Sequence, residues 1–204
     1  MNAIETTYKG YKFRSRLEAK WAFVFDQLDW DWEYEPVDFG GYIPDFLIMF
    51  GKEPWYVEIK PAKQITDFDE GLIKARASRG ECGPNAEWSE PLLMLGARLG
   101  LSKFDRSACC NQGLDFFGVL DDTRFAIECE DLHFVICPTC GKHVIVTGIG
   151  SWQVPCGCEP PKGLGELVDG WPHKHWRWVL PANRQLLKSI WADAHNATRW
   201  MPAR

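Results

Sequence analysis

The sequence is informative first for what it lacks. No uninterrupted apolar run approaches the roughly 18 residues of a membrane-spanning helix. The opening residues, MNAIETTYKGYK, are polar and carry no signal-peptide core. A cytoplasmic protein with no membrane partner is the resulting expectation. There is no internal repeat and no low-complexity tract, and neither a Ser/His/Asp arrangement nor a glycine-rich phosphate loop stands out. Positive charge is not in excess either. The 23 Lys and Arg face 28 Asp and Glu, a net charge of −5, which is not the whole-chain signature of a non-specific nucleic-acid binder. Charge is local, however. Lys9, Lys12, Arg14, Arg16 and Lys20 crowd one short stretch with Glu18 as their only acidic neighbour. That stretch reads either as a solvated helix start or as a phosphate-facing edge.

Apolar residues, by contrast, are plentiful. They make up 46% of 204 residues, and 14% are aromatic, so a packed core is expected and disorder is not. Most of the 11 tryptophans are expected to fill cores, although an exposed one could stack on a base. The eight cysteines read as thiols or metal ligands in a reducing compartment rather than as disulfides.

Along the chain, SRLEAKWAFVFDQL places Leu17, Trp21, Val24, Phe25 and Leu28 at helical spacing behind Ser15 as N-cap. WEYEPVDF alternates like a strand, with Pro36 toward one end, and Gly40-Gly41 makes a turn. Two strands follow, near 42–50 and 55–60, around a turn at Gly51-Lys52-Glu53-Pro54. TDFDEGLIKARAS reads as a helix, and PLLMLGA as a buried strand. A hairpin turning at Asp121-Asp122 and a cysteine-bearing hairpin come next. A Pro/Gly linker and a helix over NRQLLKSIWADAHNATRW complete the chain. Residues 98–113 carry no clear pattern. The expected division is a core over 1–127, a small cysteine module over 128–160, and a linker with a C-terminal helix over 161–204.

Within GYIPDFLIMFGKEPWYVEIKP, otherwise fit for burial, stand Asp45, Glu58 and Lys60. A charge in a strand core is costly unless it is paired, hydrogen-bonded or metal-bound. Residues two apart on a strand share a face. Glu58 and Lys60 therefore point together while Val57 and Ile59 face the core, and a hairpin brings Asp45 alongside Glu58. Two carboxylates about 4 Å apart repel by roughly 4 kcal/mol at an effective dielectric of about 20, and a divalent cation relieves this. Hard oxygen ligands suit Mg²⁺ or Mn²⁺. A solvent-facing salt-bridge cluster is the plainer alternative.

Pro44-Asp45, twelve intervening residues and Glu58-Ile59-Lys60 resemble the signature of the PD-(D/E)xK, or restriction-endonuclease-like, nuclease superfamily. The run RSRLEA…WEYEP…YIPDF…VEIKP is similar to endonucleases of phages and mobile elements. The resemblance covers roughly residues 8–98. It implies an α/β core in the order helix-strand-strand-strand-helix-strand, a mixed sheet flanked by helices, and Mg²⁺-dependent hydrolysis of phosphodiester bonds. By that resemblance Asp45 and Glu58 hold the metal, Glu18 completes the site and Lys60 positions the attacking water. Glu18 also fits a capping box with Ser15. Glu35, in YEP, follows the same pattern and reads as structural. Arg14, Arg16 and Lys63 are candidate DNA contacts, guanidinium being suited to phosphate.

Cys137-Pro-Thr-Cys140 and, after fifteen residues, Cys156-Gly-Cys158 have the spacing of two thiolate pairs around one structural Zn²⁺. The stretch between them suits a hairpin, and the whole looks like a zinc ribbon. Gly141 suits the tight turn after the first pair. The second pair has one intervening residue rather than two, a loop that Gly157 eases; His143 or Cys129 could replace a ligand. The closely set His173 and His175 read as surface packing.

Three functions compete. The first is a metal-dependent DNA endonuclease whose zinc module grips DNA or a partner. The second is a catalytically inactive adaptor on a nuclease fold, which the intact acid–acid–lysine set argues against. The third is a zinc-based regulator, which the acidic balance argues against. One site per chain implies that a double-strand cut needs a homodimer, a partner protein or two successive nicks.

Overall fold

The computed structural model describes residues 3–50, 53–62, 65–78, 91–101, 114–122, 127–136, 140–147, 158 and 180–199. The fold is α/β, built on a mixed sheet. Two three-residue strands, β1 (Thr6–Tyr8) and β2 (Tyr11–Phe13), form an N-terminal hairpin. Helix α1 (Arg16–Gln27) follows, then β3 (Asp31–Tyr34), β4 (Phe46–Phe50) and β5 (Glu53–Ile59). A 3₁₀ turn at Ile65–Phe68 leads into α2 (Asp69–Ser78). The chain continues through β6 (Leu92–Leu101), β7 (Leu114–Asp122), β8 (Ile127–Ile136) and β9 (His143–Thr147) to α3 (Leu180–Ala197).

From α1 to β6 the order is the expected helix-strand-strand-strand-helix-strand. Strands β3 to β9 form one sheet in chain order. Every neighbouring pair is antiparallel except β5–β6, because a parallel pair needs a crossover and α2 lies on that connection. The sheet runs on across residues 127 and 128, where a domain boundary was expected. There β8 bonds to β7 on one side and to β9 on the other.

Helix α1 begins where the sequence suggests. Ser15 is extended (φ −138°, ψ 155°), and its Oγ accepts the Glu18 N–H, satisfying one orphan donor of the first turn. The helix ends in a Schellman turn with aspartate in place of the usual glycine. Asp29 takes φ 55°. The Asp29 N–H reaches the Asp26 carbonyl and the Trp30 N–H reaches the Phe25 carbonyl. The rings of Phe25 and Trp30 stack across the turn at 5.7 Å.

The two faces of the sheet bury different sets. Trp55, Val57 and Ile59 of β5 and Leu93 and Leu95 of β6 join α1 and α3 residues in the main core. Leu92 and Met94 of β6 join Phe68, Leu72 and Ala75 on the α2 side. The C-terminal helix packs back on α1, as expected, with Trp21 and Trp191 edge to face at 5.0 Å. Among the described residues no helix is long and apolar enough to cross a membrane.

Three local expectations change. The strand expected over WEYEPVDF stops at Tyr34, because Glu35 adopts φ 49° and Pro36 follows. The strand expected from residue 42 starts at Phe46, so Asp45 precedes it rather than lying in it. Asp121 and Asp122, expected to form a turn, instead pair in the β7–β8 ladder.

Candidate active site

The site lies at the carboxyl end of β5, and three elements deliver its acids. Phe46 pairs with Val57, so Asp45, one residue outside the ladder, comes up beside Glu58. Glu18 comes from the first turn of α1. All three carboxylates are buried, at 7% exposure for Glu18, 4% for Asp45 and 7% for Glu58. Together with Arg14, Tyr42, Lys60, Gly71 and Lys74 they line a cavity of about 370 Å³.

Burial at that depth requires partners, and each acid has them. Asp45 accepts from the Ile59 N–H at 2.6 Å and from Arg14 Nη2 at 2.7 Å. Glu58 accepts from Lys60 Nζ and, at 3.2 Å, from the Tyr42 hydroxyl. Glu18 accepts from the Tyr34 hydroxyl at 2.7 Å and from the Arg14 backbone N–H at 3.1 Å. The expected capping box is therefore half formed. Ser15 caps Glu18, but the Glu18 carboxylate turns to Arg14 and Tyr34 in the cleft.

Arg14 connects the acids. Its guanidinium bridges Asp45 Oδ1 and, at 2.8 Å, Glu35 Oε1. The N-terminal hairpin sets its position. The two-residue turn Lys9-Gly10 has φ 47° and 84°, and Tyr8 and Lys9 bond to Asp26 of α1 at 2.7 and 3.0 Å.

The electrostatics follow from this crowding. Burial, reinforced by the charge of Glu58 and then of Glu18, pushes the Asp45 carboxyl up to about 7, against the pull of the Ile59 N–H and Arg14. Burial by itself lowers Arg14; Asp45, the bond to Tyr34 and the other acids outweigh it, so the guanidinium is held still more firmly protonated. Burial, with Glu18 beside it, pushes the Tyr34 phenol up to about 12, which keeps it a donor.

The structure thus brings Glu18, Asp45, Glu58, Lys60 and Arg14 together. It leaves Arg16, partly exposed on α1, outside the lining. Lys63 lies outside the described residues. Sequence reasoning missed Tyr34, Tyr42, Gly71 and Lys74. The two tyrosines read as strand aromatics, and no local pattern ties α2 to the cleft. Glu35, read as structural, pairs with Arg14 on the rim.

As they stand, no three acidic, His or Cys side chains among the described residues form a ready metal cage. The donor chemistry nevertheless suits a hard cation: three carboxylates line one cavity, and two of them are neutralised by cations on movable side chains.

At the cysteine module, β8 and β9 form a hairpin in which Ile136 pairs with His143. Cys140 is exposed near the tip, Cys158 is half-buried, and Gly141 takes φ 73°. Cys137 and Cys156 lie outside the described residues, as do His173 and His175. The Trp30 indole donates to the His143 carbonyl at 2.7 Å, tying the base of β9 to the turn after α1.

Compared with protein-family models, with curated proteins and with solved structures, the chain shows no match.

Proposed function

We propose that this chain is a metal-dependent endonuclease hydrolysing phosphodiester bonds in DNA. The observation that carries the reading is one cavity lined by Glu18, Asp45 and Glu58, with the Lys60 ammonium on Glu58 and Arg14 and Lys74 alongside. Asp45 and Glu58, with Glu18 across from them, would hold Mg²⁺ or Mn²⁺. When bound, such an ion lowers the pKa of a water and neutralises charge on a phosphoryl oxygen. Arg14 is the counter-ion of Asp45 until a metal takes that role, and its guanidinium is then available to a backbone phosphate. Lys60 orients the attacking water and stabilises developing negative charge. Tyr34 and Tyr42 hold the Glu18 and Glu58 carboxylates in place.

The cysteine hairpin is a structural zinc module in this reading, with Cys137, Cys140, Cys156 and Cys158 as ligands. The tight turn at Gly141 supports it. The module grips DNA or a partner protein.

The test is cleavage of supercoiled plasmid, branched duplex and single strand in Mg²⁺, Mn²⁺ or EDTA, alongside Asp45→Ala and Glu58→Ala. Metal-dependent cutting lost in both variants is the expected result. A folded, zinc-loaded protein that cuts none of these substrates would overturn it and favour the adaptor.

A further inference from the structure

Gly71 stands in the first turn of α2, in right-handed helical backbone. Its conformation does not demand glycine, and in a helix glycine is less favourable than alanine by up to about 1 kcal/mol. Space is the remaining reason. A Cβ at Gly71 would lie 2.9 Å from Met94 Cε and 3.0 Å from Lys60 Cε, with Lys60 Cδ at 3.9 Å. Non-bonded carbons settle at about 3.5–4.0 Å. Either the helix moves or these two side chains do.

Met94 is buried beneath this point, paired with Glu58 across the parallel β5–β6 ladder. A thioether can bend aside, but within a closed core. Lys60 is half-exposed, so it is the side chain with room to leave. Its stem runs past α2 to reach Glu58 Oε1.

We propose that Gly71 is a positioning residue for Lys60: its missing side chain is the slot through which the lysine stem passes, and it holds the ammonium on Glu58. The catalytic consequence rests on the reading of Lys60 given above; the slot itself does not.

The experiment compares the wild-type chain with Gly71→Ala in three measurements. Reductive methylation followed by mass spectrometry reads Lys60 against Lys74 as internal reference. Thermal melting reads stability. Mg²⁺-dependent cleavage reads kcat and KM. The expected result is a several-fold rise in Lys60 labelling relative to Lys74, with a kcat lower by about 10- to 100-fold, the scale of an ångström-sized misplacement. KM stays near wild type, and the melting temperature falls modestly because Met94 must also shift. Labelling and kcat both at wild-type level overturn the proposal.

Gly71→Ala placed in a Lys60→Ala background guards against general damage. There only the contact with Met94 Cε remains, so the alanine should lower the melting temperature less than it does beside the lysine. An equal fall in melting temperature with and without the lysine overturns the proposal and assigns Gly71 to the packing of Met94. If the wild-type chain cuts nothing, the nuclease reading fails, while the labelling still decides the slot.

Discussion

The acidic cleft and the cysteine hairpin are both candidate metal sites, and they are built on opposite principles. The cleft carries its own countercharges. Asp45 has Arg14 and the Ile59 N–H, Glu58 has Lys60 and Tyr42, and Glu18 has Tyr34. Such a site folds without a cation and holds one only in competition with its own arginine and lysine. The proposed cysteine quartet has no such countercharges; without a metal its members are neutral thiols, and the cross-link between the two pairs exists only with the ion. In the proposed reading, the metal used for chemistry is optional to the fold, whereas the metal used for structure is not.

Cys140→Ser should lower zinc content and unfold the β8–β9 hairpin, removing a large part of the about 10–16 kcal/mol that structural zinc contributes. Zinc analysis with hydrogen exchange on the 127–147 segment checks this. A protected hairpin without zinc would erase the contrast. At the cleft, Lys60→Ala should cut cleavage by about 10²–10⁴-fold and leave zinc content unchanged. Single-turnover kinetics with matched metal analysis measures both.

In protein purified without Mg²⁺ or Mn²⁺, and with its zinc retained, stability should depend on pH. Folded Asp45 sits at about 7, above its unfolded value near 3.9. The folded state therefore holds more protons between those limits. Stability contributed by protonated Asp45 is full below about pH 4 and is lost as pH rises through about 7. The upper limit is about 4 kcal/mol, from about 1.4 kcal/mol per pKa unit. Denaturant melts across this range should show the slope, and Asp45→Asn should flatten it. A slope surviving in that variant would assign it to other groups. The smallest effect is at the seam between the two regions. Trp30→Phe removes the bond to the His143 carbonyl and should cost about 1 kcal/mol, read as faster exchange at the base of β9.

The sequence made the backbone of the site legible because the relevant signals are local. Helical spacing placed Glu18 on α1, strand alternation separated Glu58 from Val57 and Ile59, and the β4–β5 hairpin brought in Asp45. The partners were hidden because they arrive across space. Tyr34 and Tyr42 sit among aromatics that any core uses, and Lys74 and Gly71 belong to a helix with no sequence tie to the cleft. The N-terminal hairpin was missed because its strands are three residues each and its turn puts Lys9, not glycine, at φ 47°. The early end of β3 rests on a left-handed Glu35, which no propensity scale favours. The sheet beyond β6 was legible as hairpins, but not as one surface, because pairing between successive hairpins is decided by shape.

The topology also bears on how the molecule folds. Strands β4 and β5 are chain neighbours, so their hairpin closes a short loop, whereas the parallel β5–β6 pair must wait for the α2 crossover. Asp45 and Glu58 therefore meet in a contact that can form early. Arg14 arrives from the far N-terminal side, through a hairpin that needs α1 already in place. The native surroundings of Asp45 are thus completed from two directions: by a local hairpin, and by Arg14, 31 residues upstream.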